Sequence, residues 1–73
     1  MVKIIVNGRE QETSESHIDY DGAVRRAGVA ASAGVTFTVV WRSGHGGGSL
    51  VPGGPPVAVE DGLVLSVAYT GGA

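Results

Sequence analysis

The sequence predicts an α+β domain in which one helix packs across one face of a mixed sheet of four to five strands. Apolar residues alternate along the stretches VKIIV, VTFTVVWRS and LVLSVAYT, and a single helical stripe lies between the first and the second of these. A chain of 73 residues allows one such domain. Laying the helix across the sheet buries the apolar faces of both, as a two-layer domain requires.

The first two strands are predicted to form a hairpin. Val2 to Val6 are a β-branched run, and Asn7-Gly8 follows it. This dipeptide favours a type I′ turn, because both central residues of that turn need a positive φ. The second strand is expected from Arg9 to Ser14, with its polar side chains at least partly in water.

The helix is predicted to begin near Asp19 and to end at Gly28. Asp19 or Ser16 can cap its start, and Gly28 suits the left-handed residue that ends many helices. The apolar stripe that faces the sheet consists of Tyr20, Ala23, Val24 and Ala27.

Two long strands complete the predicted sheet. The first of them alternates over residues 35–43, and its core side holds Val35, Phe37, Val39 and Trp41. The glycine- and proline-rich stretch 44–62 is predicted to be a flexible connector, with a brief strand at residues 57–59. The last strand is expected from Leu63 to Thr70, and its core side holds Leu63, Leu65, Val67 and Tyr69.

Composition excludes several classes of function. The net charge is −2 with only five basic residues, so neither nucleic acid nor an acidic membrane surface is an expected partner. The chain has no cysteine, which excludes disulfides, thiolate metal sites and a cysteine nucleophile. The apolar run at residues 2–6 is too short for a signal peptide or a membrane span. A cytoplasmic protein is therefore expected.

The titratable residues do not predict an enzyme. His17 and His45 lie far apart in the sequence without a carboxylate at ligand spacing, so two surface histidines are expected rather than a metal site. The stretch SGHGGGS lacks the Gly-Lys-Ser/Thr ending of a phosphate-binding loop. Because no nucleophile and base stand at a recognisable spacing, neither catalysis by this chain nor a cofactor is expected.

The predicted order of strands and helix matches the β-grasp fold, and the chain resembles bacterial ubiquitin-like proteins of the multi-ubiquitin-domain type. The resemblance covers nearly the whole chain. It is carried by the VNGR hairpin, the GGGSLVPG loop, the V-x-V-x-D-G-x-V pattern before the last strand, and Gly71-Gly72. Two features differ from the pattern. Only one domain is present, and Tyr69-Thr70 precede the glycines in place of the basic Leu-Arg pair of eukaryotic ubiquitin.

The resemblance implies a protein modifier with a domain over residues 1–70 and a flexible tail over residues 71–73. A processing peptidase would remove Ala73, and an activating enzyme would adenylate the carboxylate of Gly72. A conjugating enzyme would then pass Gly72 to an amine of a target protein, forming an isopeptide bond. Lys3 is the only lysine, so it is the candidate acceptor for chains of the modifier itself. A monomer is expected before conjugation.

Ubiquitin-like proteins also present an apolar patch on the sheet to their partner enzymes. The candidate residues for such a surface are Val40, Leu50, Val64 and Ala68. Trp41 is interpreted as core packing beside Phe37 and Val39, with exposure beside Val40 as the alternative.

Two other functions stay open at this point. A sulfur carrier of the thiamine or molybdopterin type uses the same fold and turns the diglycine carboxylate into a thiocarboxylate. Such carriers usually end at the second glycine, so Ala73 argues against a simple carrier. A non-covalent binding module, in which a sheet face or edge docks a partner and the tail is inert, is the other alternative.

Overall fold

A computed structural model describes residues 1–28 and 35–72, and in these ranges it contains one helix and seven strands. In chain order they are β1 (Val2–Val6), β2 (Arg9–Thr13), β3 (His17–Ile18), α1 (Tyr20–Ala27), β4 (Val35–Ser43), β5 (Gly46–Leu50), β6 (Val57–Ala58) and β7 (Leu63–Gly72). Five strands form one sheet in the order β2-β1-β7-β4-β5, and β3 pairs with β6 separately. The β1–β7 pair is parallel and the others are antiparallel. The predicted α+β architecture with a mixed sheet is confirmed.

The core lies between α1 and one face of the five-stranded sheet. The predicted helical stripe is confirmed, since Tyr20, Ala23 and Val24 are buried and Ala27 is packed against the core. The sheet contributes the inward-facing residues of its strands, which are Ile4, Val6, Phe37, Val39, Leu50, Leu63, Leu65 and Val67. Trp41 is partly buried against this cluster, which agrees with its interpretation as core packing.

The first hairpin forms as predicted, and its turn has a second role. Asn7 and Gly8 have φ values of 51° and 80°, while β2 ends at Thr13, one residue before the predicted end. The Asn7 side chain accepts a hydrogen bond from the Val67 N–H at 2.8 Å and donates one to the Val67 carbonyl at 3.1 Å. The side-chain amide thus takes the place of a backbone peptide and continues the β1–β7 contact beyond Val6.

The helix ends where the sequence predicts. Asp19 is the N-cap, and its carboxylate accepts a hydrogen bond from the Gly22 N–H at 2.8 Å. Gly28, with a φ of 73°, ends the helix in the left-handed conformation. Within residues 1–28 and 35–72, no helix has the length and apolar character that crossing a bilayer requires.

Arg26, in the last turn of α1, fixes the helix to β2. Its guanidinium donates to the Thr13 hydroxyl at 2.7 Å and forms an ion pair with Glu15. The Arg26 carbonyl accepts a hydrogen bond from the Gln11 side chain at 2.9 Å. The neighbouring Arg25 remains exposed.

The prediction of a flexible connector over residues 44–62 is wrong for its first part. Residues 46–50 form β5, which continues the sheet after a two-residue turn at Gly44-His45. Glycine weakens a strand because it has no side chain to pack. Here the indole of Trp41 on β4 covers Gly48 on β5, with which Trp41 pairs directly. A Cβ at residue 48 would lie 3.1 Å from the indole Nε1. The aromatic ring thus supplies packing that the glycine lacks.

The brief strand predicted at residues 57–59 is present as β6, over Val57–Ala58. Its partner β3, a two-residue strand before the helix, is not predicted by the sequence. The Val59 N–H extends this pairing by donating to the Ser16 carbonyl at 2.9 Å. Both strands are too short to show a periodic pattern of apolar residues.

A β-bulge interrupts the pairing of β7 with β4. Phe37 pairs with Tyr69 and Thr36 pairs with Gly71, so Thr70 is an additional residue on β7. Near this irregularity the buried Phe37 N–H donates to the Tyr20 hydroxyl at 3.0 Å. The first residue of α1 thus fixes the sheet next to the bulge. Tyr69 packs edge-on against the Phe37 ring but remains 65% exposed, since it lies at the margin of the core.

A Tyr20→Phe variant is expected to lose about 2 kcal/mol of folding free energy, because the buried Phe37 N–H is left without its acceptor. For a domain of this size this corresponds to a fall of roughly 10 °C in the melting temperature. Thermal unfolding followed by circular dichroism measures the change. Tyr69→Phe is the matched control, and it should leave the melting temperature unchanged because the Tyr69 side chain is exposed. Equal melting temperatures for both variants would show that the hydrogen bond from Phe37 to the Tyr20 hydroxyl does not stabilise the fold.

Candidate conjugation site and partner surface

The diglycine is the last described part of the central strand of the sheet. β7 lies between β1 and β4, and its backbone continues from Tyr69 to Gly72. Gly71 pairs with Thr36, and Gly72 pairs with Val35. The strand therefore extends two residues beyond its predicted end at Thr70, and the diglycine is extended backbone paired with β4. Ala73, the residue predicted to be removed by processing, lies outside the described residues.

Because β7 is central, the diglycine is attached directly to the core of the domain. Leu63 and Leu65 have no exposed surface, and Val67 is also buried. Only Ala68, Tyr69 and the bulge at Thr70 separate Val67 from Gly71. The position of the two glycines is therefore set by the most deeply packed strand of the sheet.

Three of the four residues predicted for a partner surface lie on the outer face of the sheet. Val40 is 43% exposed, Ala68 is exposed and Val64 is half-buried. Val40 on β4 pairs with Ser66 on β7, which stands between Val64 and Ala68 on the same face of that strand. The three residues therefore form a small apolar area on the face opposite α1.

Leu50 does not belong to this surface. It is 5% exposed and pairs with Val39, so its side chain lies in the core. The sequence prediction placed Leu50 in a connector. A connector has no alternating pattern of side chains, so the face to which Leu50 points could not be inferred. Once residues 46–50 are a strand, the alternation places Leu50 on the inner face and Ser49 on the outer face.

Ile5 is a member of the outer apolar area that the sequence prediction omits. It is half-buried, and it pairs directly with Val64 across the parallel β1–β7 ladder. The signal is visible in VKIIV, where Ile5 interrupts the alternation and shares the outward side of β1 with Lys3. An apolar residue on the solvent side of a strand is a candidate for a contact surface.

Lys3 lies on the exposed side of β1, as expected for an acceptor. Its side chain is 64% exposed, and its Nζ lies 3.7 Å from the Glu10 carboxylate. Its backbone is held more firmly, since its N–H donates to the Asp61 carboxylate at 3.0 Å and its carbonyl accepts from Gly62 at 2.8 Å. The amine can therefore be approached from solvent without disturbing the sheet.

The two histidines are exposed, as predicted. His45 Nε2 lies 3.8 Å from the Glu60 carboxylate, and His17 Nδ1 lies 3.2 Å from the Ser16 hydroxyl. Among residues 1–28 and 35–72, no group of three histidine, cysteine, aspartate or glutamate side chains is arranged to hold a metal ion.

Comparisons with protein-family models, with curated proteins and with solved structures give no match to this chain. A proposal of function therefore depends on the chemistry and placement of the residues described above. The proposal uses two of these features, the diglycine at the end of β7 and the outer apolar area.

A Val40→Asp variant is expected to fold normally, because substitutions at exposed positions usually change stability by less than about 0.5 kcal/mol. It should lose recognition by a partner that uses the outer apolar area, since a carboxylate there would have to be desolvated. Thermal unfolding checks the fold, and the yield of conjugates in cells that contain the enzymes implied by the resemblance checks recognition. Ser14→Asp is a control that adds the same charge at an exposed residue after β2. Unchanged conjugation by Val40→Asp would count against this surface.

Proposed function

We propose that this chain is a ubiquitin-like protein modifier of the β-grasp fold, conjugated to amines of target proteins through the carboxylate of Gly72. One observation carries the proposal: Gly71 and Gly72 directly continue the central, deeply buried strand of a mixed sheet covered by one helix. This arrangement places a segment without side chains at a fixed distance from the core. The resemblance of the VNGR, GGGSLVPG and V-x-V-x-D-G-x-V stretches to bacterial ubiquitin-like proteins supports the same function.

The chemistry follows from the residue types. Hydrolysis of the peptide bond after Gly72 exposes its carboxylate, which attacks the α-phosphorus of ATP and releases pyrophosphate. A nucleophile of the enzyme displaces AMP from the resulting acyl-adenylate. A target amine then displaces that nucleophile and forms an amide. Two glycines suit this sequence, because backbone without Cβ atoms fits a narrow channel and leaves the carboxylate open to attack.

The chain supplies the acyl group, and its partner enzymes supply the catalytic groups. For this, the diglycine must leave β4 and enter the active site of a partner. Only two residue pairs hold it to β4, Gly71 with Thr36 and Gly72 with Val35. Glycine contributes no side-chain packing to a strand and gains more backbone entropy on release than other residues. The strand end is therefore the part of β7 that separates at least cost.

The proposed partners are a processing peptidase, an adenylating enzyme, a conjugating enzyme and target proteins. Lys3 is the proposed acceptor if the modifier forms chains through a side chain, since its amine is exposed. The Met1 amine is the alternative acceptor, and it differs from Lys3 in giving a linear linkage.

The test is the intact mass of the protein after co-expression with the genes adjacent to its own. The expected result is a chain that ends at Gly72, together with heavier species whose tryptic peptides carry a Gly-Gly remnant on lysine. Detection of a C-terminal thiocarboxylate would indicate that the protein is a sulfur carrier. Full-length mass without adducts would overturn the proposal and favour a non-covalent binding module.

A further inference from the structure

The two edges of the five-stranded sheet differ in their chemistry. β2 has the sequence REQET, and charged side chains at sheet edges deter pairing with other strands. β5 has the sequence GGGSL, with neither charge nor proline. Gly46, Gly47 and Ser49 are exposed, so the open side of this edge is accessible. A bare edge of this kind can accept an added strand through its backbone N–H and carbonyl groups.

Two side chains of β4 lie against glycines of β5, one on each face of the sheet. On the outer face, the stem of Arg42 lies over Gly47, where a Cβ would be 3.7 Å from Arg42 Cγ. On the inner face, the Trp41 indole lies over Gly48, where a Cβ would be 3.1 Å from Nε1. At Gly48 a Cβ would crowd the indole, whereas at Gly47 its closest contact would be the Trp41 carbonyl oxygen at 3.0 Å.

Neither polar group has a partner within the part of the chain that the structure describes. In residues 1–28 and 35–72, no hydrogen bond or ion pair involves the Arg42 guanidinium, and none involves the Trp41 N–H. The Arg42 cation and the Trp41 indole thus have donors without a partner among residues 1–28 and 35–72, on the strand next to an accessible edge.

We propose that β5 is a docking edge for an extended peptide of a partner protein that carries an apolar residue followed by an acidic one. In an antiparallel pair, the acidic residue lies opposite Gly47 on the outer face and the apolar residue lies opposite Gly48 on the inner face. The distance from β4 to the added strand is two strand spacings, roughly 10 Å. The long side chains of Arg42 and a glutamate can meet over Gly47, because residue 47 places no side chain between them.

The inner face supports the apolar half of this motif. Trp41 forms one wall of an open groove of about 310 Å³, whose other walls include Pro56, Val57 and Ala58. An apolar side chain opposite Gly48 would contact the indole at the side of this groove. On the outer face, Val40 is exposed next to Ser49 of β5 and offers further apolar contact, and Val51, the residue after β5, is also exposed. This binding goes beyond the proposed conjugation and does not depend on it.

The test is titration of the full chain with the synthetic peptide acetyl-TITVETT-amide, followed through tryptophan fluorescence. The chain has a single tryptophan, Trp41, so the signal comes from the proposed site. Saturable binding with a shifted emission maximum is expected. Replacing the glutamate of the peptide by glutamine, or Arg42→Gln in the protein, should each weaken binding about fivefold, as for an exposed ion pair. Arg42→Glu should bind the peptide with lysine in place of glutamate.

Ser49→Pro and Ser49→Ala form the matched pair for the backbone contribution. Ser43 and Gly46 close the two-residue turn and therefore form a hydrogen-bonded pair. Every second residue of β5 from Gly46 onward thus bonds to β4, and Gly47 and Ser49 between them direct their N–H groups away from β4. Proline at residue 49 removes one of these donors and should abolish binding, whereas alanine should retain it. Thermal unfolding of both variants checks that the fold is kept, and the charge exchange at Arg42 tests the site without changing the strand.

Absence of a saturable signal would overturn the proposal. The proposal would also be overturned if Ser49→Pro still bound the peptide and the charge exchange at Arg42 left the affinity unchanged. Sedimentation over a range of protein concentrations completes the test. A dimer that Ser49→Pro removes, without any peptide binding, would place a second copy of this chain on the edge and overturn the assignment to a partner peptide.

Discussion

A Gly72→Ala variant is expected to lose conjugation to target proteins while it folds like the natural chain. The added methyl group would lie next to the reacting carboxylate, where a misplacement of about 1 Å can cost a hundredfold in rate. The fold should not change, because Gly72 is the last described residue of β7 and, among the described strands, pairs with Val35 alone. Conjugates are measured by denaturing gel and mass spectrometry after co-expression with the partner enzymes. Folding is measured by thermal unfolding.

Ala73→Ser is the matched control for this experiment. It changes the neighbouring residue but leaves both glycines in place, so processing and conjugation should continue. If Gly72→Ala forms conjugates at the natural level, the Gly72 carboxylate is not the reacting group and the modifier proposal fails. Loss of adducts in both variants would instead indicate that the peptidase requires Ala73.

The second large effect is expected at Asn7, on folding rather than on conjugation. An Asn7→Ala variant should lose about 3 kcal/mol of folding free energy. Alanine at a φ of 51° costs about 1 kcal/mol, and each lost hydrogen bond to Val67 costs about 1 kcal/mol. A domain of this length is stabilised by about 4–11 kcal/mol in total, so the loss is a large fraction. Urea unfolding followed by fluorescence of Trp41 measures it.

Two further variants separate the turn from the hydrogen bonds. Asn7→Gly keeps the turn, since glycine accepts a positive φ, and should lose only the part due to Val67. Asn7→Asp keeps an acceptor for the Val67 N–H but removes the donor to its carbonyl, so an intermediate loss is expected. If Asn7→Gly is as stable as the natural chain, the side-chain amide contributes nothing to the β1–β7 contact.

Local signals explain how much of the fold can be predicted from the sequence. Asn7-Gly8 defines a turn through its own backbone preference, and Asp19 and Gly28 do the same for the ends of the helix. The long strands alternate because one face of each is buried. In these segments the information that determines the structure lies within a few neighbouring residues.

Contacts between distant segments explain what the sequence does not predict. β5 forms because the indole of Trp41 covers a glycine on the next strand, and glycine itself favours a loop. The hydrogen bonds of Asn7 to Val67 join residues 60 positions apart. For the candidate site, the diglycine is visible in the sequence, but the burial of Leu50 depends on a strand that only the sheet reveals.

The bulge at Thr70 has a consequence for the geometry of approach. A bulge bends its strand and increases the local twist, so it sets the direction of Gly71 and Gly72 at the end of β7. Tyr20 on the helix holds Phe37, and Phe37 stands opposite the residue before the bulge. In the proposed modifier, the orientation of the Gly72 carboxylate is thus coupled to the helix and not to the glycines alone. An enzyme that takes this carboxylate therefore has to fit the angle between helix and strand as well as the diglycine.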